Sequence, residues 1–150
     1  MALVAQTTLT IKSTAFANND FIPPKYTCDG ENINPELSIE NIPKGTKTFV
    51  LIMDDPDAPY GTYTHWIMWN IPVSGKIKEN SAPGVEGKNS AQENKYMGPC
   101  PPKGLHHYHF KLYALDCELK LPGNTNKINL LKAMEKHILT KGELIGLYKK

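Results

Sequence analysis

No arginine occurs in this chain; all 17 basic residues are lysine. Without a planar guanidinium fork there is no bidentate reader of phosphate, carboxylate or a guanine edge, so sequence-specific nucleic-acid binding is not expected. Against 15 acidic residues the formal net charge is +2, too small to point to a polyanion. Cysteine is scarce as well. The 3 cysteines, Cys28, Cys100 and Cys117, are odd in number and form no C-x-x-C pair. That argues against a disulfide framework and against a zinc site, and the expectation is three reduced thiols in a cytoplasmic protein. No stretch approaches the ~20 apolar residues of a membrane-spanning helix. Met1 to Leu9 is neither basic nor apolar enough for an export signal. There is no G-x-S-x-G nucleophile elbow, and no cofactor is implied.

What is present suffices for one domain. A chain of 150 residues, 40% hydrophobic and 21% charged, has the composition of a soluble globule with a real core, and residues 1–150 are read as a single domain. Apolar alternation and turn residues predict a first strand near Leu9–Ser13, a long ordered loop over 15–34, and a short strand at 35–39. They then predict a central strand at 47–54 and another from His65 to Ile71, closed by Pro72. Residues 73–97 read as surface loop, with a brief strand at 76–78. A strand from Tyr108 to Leu115 follows. Asn126 is a candidate cap for a helix over about 127–141, with Gly142 as its C′ residue and a last strand at 143–148.

Two stretches carry chemistry. In the first, the apolar run Phe49–Met53 leads into Asp54-Asp55-Pro56-Asp57-Ala58-Pro59-Tyr60-Gly61-Thr62-Tyr63-Thr64-His65-Trp66. Carboxylates at the end of a buried strand are costly unless paired, and His65, beside the next strand, is the most economical partner. The second stretch is Gly98-Pro99-Cys100-Pro101-Pro102-Lys103-Gly104-Leu105-His106-His107-Tyr108. Pleating places His106, Tyr108, Phe110, Leu112 and Ala114 on one strand face and His107, His109, Lys111 and Tyr113 on the other, wetter face. Asp55, Asp57, His65, Gly98, His106 and Tyr108 form the candidate ligand site. A carboxylate beside an imidazole favours the imidazolium, Tyr108 adds a hydroxyl, and Gly98 lets a backbone N–H approach a ligand. Such a set suits a compact anion. Pro56, Pro59, Pro101 and Pro102 stiffen the loops, and each admits a cis bond.

These segments resemble the two signatures of the phosphatidylethanolamine-binding protein family, also called the Raf kinase inhibitor protein family, in its bacterial and archaeal branch. Ile22-Pro23, Lys25 to Gly30 and Asn34-Pro35 resemble a third motif in the expected order. The chain departs from the pattern at His107, where an arginine is common, at Ile39, where tryptophan is common, and at Asn34, where serine is common. The resemblance implies an antiparallel Greek-key β-sandwich with peripheral helices. It also implies a non-catalytic pocket, at the six positions above, for a phosphate-containing small molecule or lipid head group. A kinase or protease partner is implied by the family name, and the chain is expected to be a monomer or homodimer. The alternative from the residues themselves is a metal-dependent hydrolase using His65, His106, His109 and an aspartate. Cys100, set between prolines, has no neighbour that would activate it as a nucleophile.

Overall fold

The computed structural model describes residues 8–150; the reading of the N-terminal stretch as lacking an export signal rests on residues 1–7, which lie outside them. In chain order the strands are β1 (Thr10–Lys12), β2 (Asp20–Phe21), β3 (Leu37–Glu40), β4 (Thr48–Asp55), β5 (Tyr63–Ile71), β6 (Lys76–Ile77), β7 (Val85–Glu86), β8 (Leu105–Leu115) and β9 (Ile138–Lys149), with one helix, α1 (Lys127–Met134), before β9. They form two sheets, β1-β3-β6 and β2-β9-β8-β4-β5-β7. Pairing is antiparallel except at β2–β9, which is parallel. The predominance of strands is what the alternation predicts, and the two-sheet architecture is what the family resemblance implies.

The continuous apolar run of β4 follows from its position. Every residue from Thr48 to Asp55 is buried. Phe49, Leu51 and Met53 face the core between the sheets, against Ile11, Leu37 and Ile39 of the small sheet. Val50 and Ile52 face outward with Ile67, Trp69 and Leu115, under Leu130 and Met134 of α1. A strand covered on both faces has no polar side to alternate with. Asp54 ends this outer face in an ion pair with Lys127 of α1, at 2.7 Å, with Lys111 at 3.6 Å.

The helix begins as expected, with the Asn126 side chain accepting from the Asn129 N–H at 3.0 Å, but it ends at Met134 rather than near 141. The His137 N–H turns back to the Met134 carbonyl, and the Asp116 N–H takes the His137 carbonyl. From Ile138 the chain pairs with β8 along its whole length. Gly142 is therefore a strand residue. A Cβ there would run into the backbone of Leu9, which explains the glycine without a helix end.

The cysteine reading is also corrected. Cys28 and Cys100 form a disulfide across a sequence separation of 72, and among the described residues only Cys117 is free. Spacing along the chain could not reveal this pairing, because loop 22–34 folds back over the Gly98–Pro102 segment. The Cys28 N–H donates to the Pro99 carbonyl at 3.1 Å, and the two thiols meet as a result. Among the described residues all peptide bonds, those of the four candidate prolines included, are trans.

Candidate functional site

The C-terminal end of β4, the start of β5 and the start of β8 lie side by side, with Asp55 opposite Tyr63 and Asp54 opposite His109. Burial along β8 alternates strictly from His106 to Ala114, so the face assignment read from the sequence holds. His106 and Tyr108 point inward, while His109 lies on the other face, 3.1 Å from Glu143.

The partners differ from those expected. Asp55 pairs with His106, not His65: Oδ2 accepts from Nδ1 at 2.6 Å, with both side chains buried. A carboxylate only accepts, so His106 Nδ1 carries a proton and Nε2 is left for the cavity that the ring lines. Asp55 Oδ1 accepts the Asp57 N–H at 2.8 Å and shapes the loop. The remaining histidine of the site, His65, instead lies 2.6 Å from the Met97 carbonyl through Nδ1. That nitrogen too must be the donor, again leaving Nε2. Burial pushes the His65 pKa below its ordinary value, and the Met97 carbonyl and the nearby Asp55 and Asp54 charges offset this only in part. His65 is thus neutral at pH 7 in the free protein. The expected imidazolium at this position is not there until something stabilises it.

Tyr108 sits between the histidines, its ring edge-on to His65 at 5.2 Å and stacked on His106 at 6.4 Å. Its hydroxyl is buried with no hydrogen-bond partner. Burial first, and then the Asp55 and Asp57 charges, push its pKa up, so it remains a donor throughout the physiological range.

Asp57 does not line the cavity. Its Oδ2 takes both the backbone N–H of His107, at 2.8 Å, and that residue's Nδ1, at 2.7 Å. Burial pushes the Asp57 carboxyl up, but the two His107 donors outweigh it and hold the carboxyl below its usual value. It fastens the β4–β5 loop to β8 from outside. His107, where an arginine was the pattern, is its counterpart. Gly98 does line the cavity, but its N–H is taken by Asn32 Oδ1 at 2.9 Å, and a Cβ there would run into that oxygen and the Tyr26 carbonyl. The glycine is required by the close approach of loop 26–32 rather than by a ligand.

Asp55, His65, Gly98, His106 and Tyr108 thus share one cavity of about 330 Å³, within the usual range for small-molecule sites. Its remaining walls, Pro59, Tyr60, Tyr63, Met97, Pro101 and Pro102 among them, are largely apolar, and no lysine lines it. Of the metal-dependent alternative, His65, His106 and an aspartate, Asp55, share the cavity, but the fourth group does not join them, because His109 is on the opposite face of β8 against Glu143.

A family model described as phosphatidylethanolamine-binding protein matches residues 12–149. The chain belongs to the phosphatidylethanolamine-binding protein family. Curated relatives include a UPF0098 protein of Pyrococcus horikoshii, 48% identical over 92% of this chain and 75% of that one. Another, from Methanothermobacter thermautotrophicus, is 44% identical over 95% of this chain and 99% of its own length. Among solved structures, a phosphatidylethanolamine-binding protein homologue from Chlamydia trachomatis superposes with a TM-score of 0.92 at 39% identity, covering 95% of this chain and 98% of its own. Escherichia coli YbcL gives 0.88 at 24% identity, covering 96% and 99%, a likeness of fold.

Sequence reasoning missed several residues that line or support the cavity. The Met97 carbonyl, which orients His65, lies in a segment read as featureless loop. That segment is organised by Asn89, buried to 2% exposure, whose amide oxygen accepts the Ala91 and Glu93 N–H groups and whose amide nitrogen donates to the Lys95 carbonyl. An asparagine amid Lys, Ser and Glu carries no periodic signal. Tyr60 and Tyr63 were visible as aromatics in a turn-rich loop, and that was the one hint available.

Proposed function

We propose that this cavity binds the anionic group of a phosphate ester, as a lipid head group or a phosphorylated small molecule, and that the protein acts as a binding module without catalysis. The observation that carries the reading is the Tyr108 hydroxyl, buried and unpartnered at the cavity floor between two histidines whose Nε2 atoms are left uncommitted. A buried hydroxyl without a partner costs about 1–3 kcal/mol, and an anion oxygen relieves it. The apolar rim supports an ester carried on an apolar or ring-bearing group. The kinase- or protease-inhibiting role implied by the family's other name runs, in this reading, through the same exposed rim. The Cys28–Cys100 pair suits an oxidising compartment, or the disulfide-tolerant cytosol of hyperthermophiles, better than a reducing cytoplasm.

Titration with phosphorylethanolamine and with sulfate, followed by amide and imidazole NMR, tests it. Shifts should appear first at His65, His106 and Tyr108, and Tyr108→Phe should weaken binding by about 1.5–3 kcal/mol, the range for a hydrogen bond to a charged group. Shifts confined to the lysine-bearing loop 76–95 would sink the reading.

A further inference from the structure

The far end of β8 carries a second cluster of chemistry-bearing side chains. Asp116 and Cys117 follow the last residue of β8, and His137 precedes the first residue of β9. The β8–β9 ladder closes on Leu115 opposite Ile138, just past an irregularity at Ala114, so the three residues leave a fixed strand pair. Their backbone is pinned. The Asp116 N–H donates to the His137 carbonyl at 3.0 Å, and the His137 N–H donates to the Met134 carbonyl at the end of α1 at 2.8 Å. The Cys117 carbonyl accepts from the Thr48 hydroxyl at 2.7 Å. Asp116 Oδ1 lies 2.9 Å from His137 Nδ1, and one ligand atom from each of the three side chains lies within 4.8 Å of the other two. Among the described residues this is the one group of three His, Cys, Asp or Glu side chains brought so close.

The cluster is not built as a nucleophile. Burial first, and then the Asp116 charge and hydrogen bond, hold the Cys117 thiol above its ordinary pKa, the opposite of what thiolate catalysis needs. A thiolate, an imidazole and a carboxylate together instead make the mixed S, N and O set that borderline-soft divalent cations take, with three protein ligands and one open position. Tetrahedral bonds of about 2.0–2.3 Å separate neighbouring ligand atoms by roughly 3.3–3.8 Å. The Asp116–His137 contact has only to open by a few tenths of an ångström to accept the ion. We propose that Asp116, Cys117 and His137 bind one transition-metal cation of the Zn²⁺ type, with water in the fourth position. As the ion enters, the Cys117 thiol releases its proton to solvent and the Nδ1 proton that His137 shares with Asp116 moves to Nε2, freeing Nδ1 as the ligand atom; the ion then fastens the α1–β9 connection to the end of β8. No residue of the anion cavity takes part.

Chelator-stripped protein with the Cys28–Cys100 disulfide intact is titrated with Zn²⁺ by calorimetry and with Co²⁺ by absorption. One Zn²⁺ should bind per chain, and the Co²⁺ complex should show a thiolate-to-metal charge-transfer band that EDTA removes. Cys117→Ser should abolish that band, and His137→Gln and Asp116→Asn should each weaken Zn²⁺ binding by at least about tenfold. His109→Gln, on a separate face of β8, should leave it unchanged. Thermal unfolding of each variant without metal shows that it is folded. The wild-type titration tests the site without any variant. No stoichiometric binding, a Co²⁺ complex without a thiolate band, or Zn²⁺ affinity undiminished in Cys117→Ser and His137→Gln would overturn the assignment. Because the test reads the metal alone, its failure leaves the anion cavity untouched.

Discussion

Replacing His106 by alanine while leaving Asp55 in place strands a buried carboxylate. The two side chains keep 7% and 5% of their exposure and meet at 2.6 Å. The other Asp55 oxygen already accepts the Asp57 N–H, and that single hydrogen bond is all the buried carboxylate would keep. Leaving a buried charge without its partner costs about 3–5 kcal/mol, a large share of the roughly 5–15 kcal/mol by which a domain of this kind is stable. Asp55→Asn removes the charge and keeps an oxygen for the Asp57 N–H. The double variant Asp55→Asn/His106→Ala should therefore be less damaged than the sum of the singles, by about 0.5–3 kcal/mol. The outward pair is the control: Glu143 is 41% exposed and 3.1 Å from His109, so His109→Ala should cost about 1 kcal/mol or less. Urea unfolding followed by the fluorescence of the buried Trp66 and Trp69 gives all four values, provided the m-values agree. Stability of His106→Ala within about 1 kcal/mol of wild type, or strict additivity in the cycle, would show that Asp55 is not held by His106.

Two further predictions concern pH and redox state. Burial lowers the His65 pKa in the free protein, and a bound anion raises it. Sulfate affinity should therefore be full and level below the free pKa, fall as pH rises towards the higher pKa of the complex, and level off above it. The fall is at most about tenfold per pH unit for one proton; a flat profile from about pH 5 to 9, bracketing the ordinary histidine value, would show that Tyr108 holds the anion without an imidazolium. Lysis under alkylating conditions should label Cys117 alone, and Cys28→Ser/Cys100→Ser should lose about 4 kcal/mol of stability, the expectation for a closed loop of this length. Three labelled thiols would refute the pairing.

What could be read from the chain was whatever local periodicity encodes. The period of two on β8 separated His106 and Tyr108 from His107 and His109, and the unbroken run Phe49–Met53 announced a strand covered on both sides. What could not be read was who meets whom across long separations. His65 chose a carbonyl 32 residues away, and Asp57 chose the outward histidine rather than the inward one. Cys28 found Cys100 because two loops cross. The helix was overrun for a related reason: Ile138 and Leu139 fit helical spacing, but the edge of β8 offered this stretch a ladder, and tertiary pairing outweighed local preference. The buried Asn34 was a mismatch with the family pattern that proved structural, since its amide holds the Lys78 carbonyl and the Ser81 N–H.

The cavity's polar floor and its apolar rim come from different kinds of chain. Asp55, His65, His106 and Tyr108 stand on paired strands, Asp55, His106 and Tyr108 within a ladder and His65 at the irregularity between the Met53–Trp66 and Asp54–Thr64 pairs, where a substitution would disturb the sheet. Pro59, Tyr60 and Pro102 stand on loops and are exposed, Tyr60 fully so. On the proposed reading, a change at the rim would alter what the ester is attached to without moving the group that holds its charge, and at little expense in stability. Selectivity would then drift, or be redirected by design, one loop residue at a time, while the polar floor stays under the far stricter constraint of keeping the sheet folded.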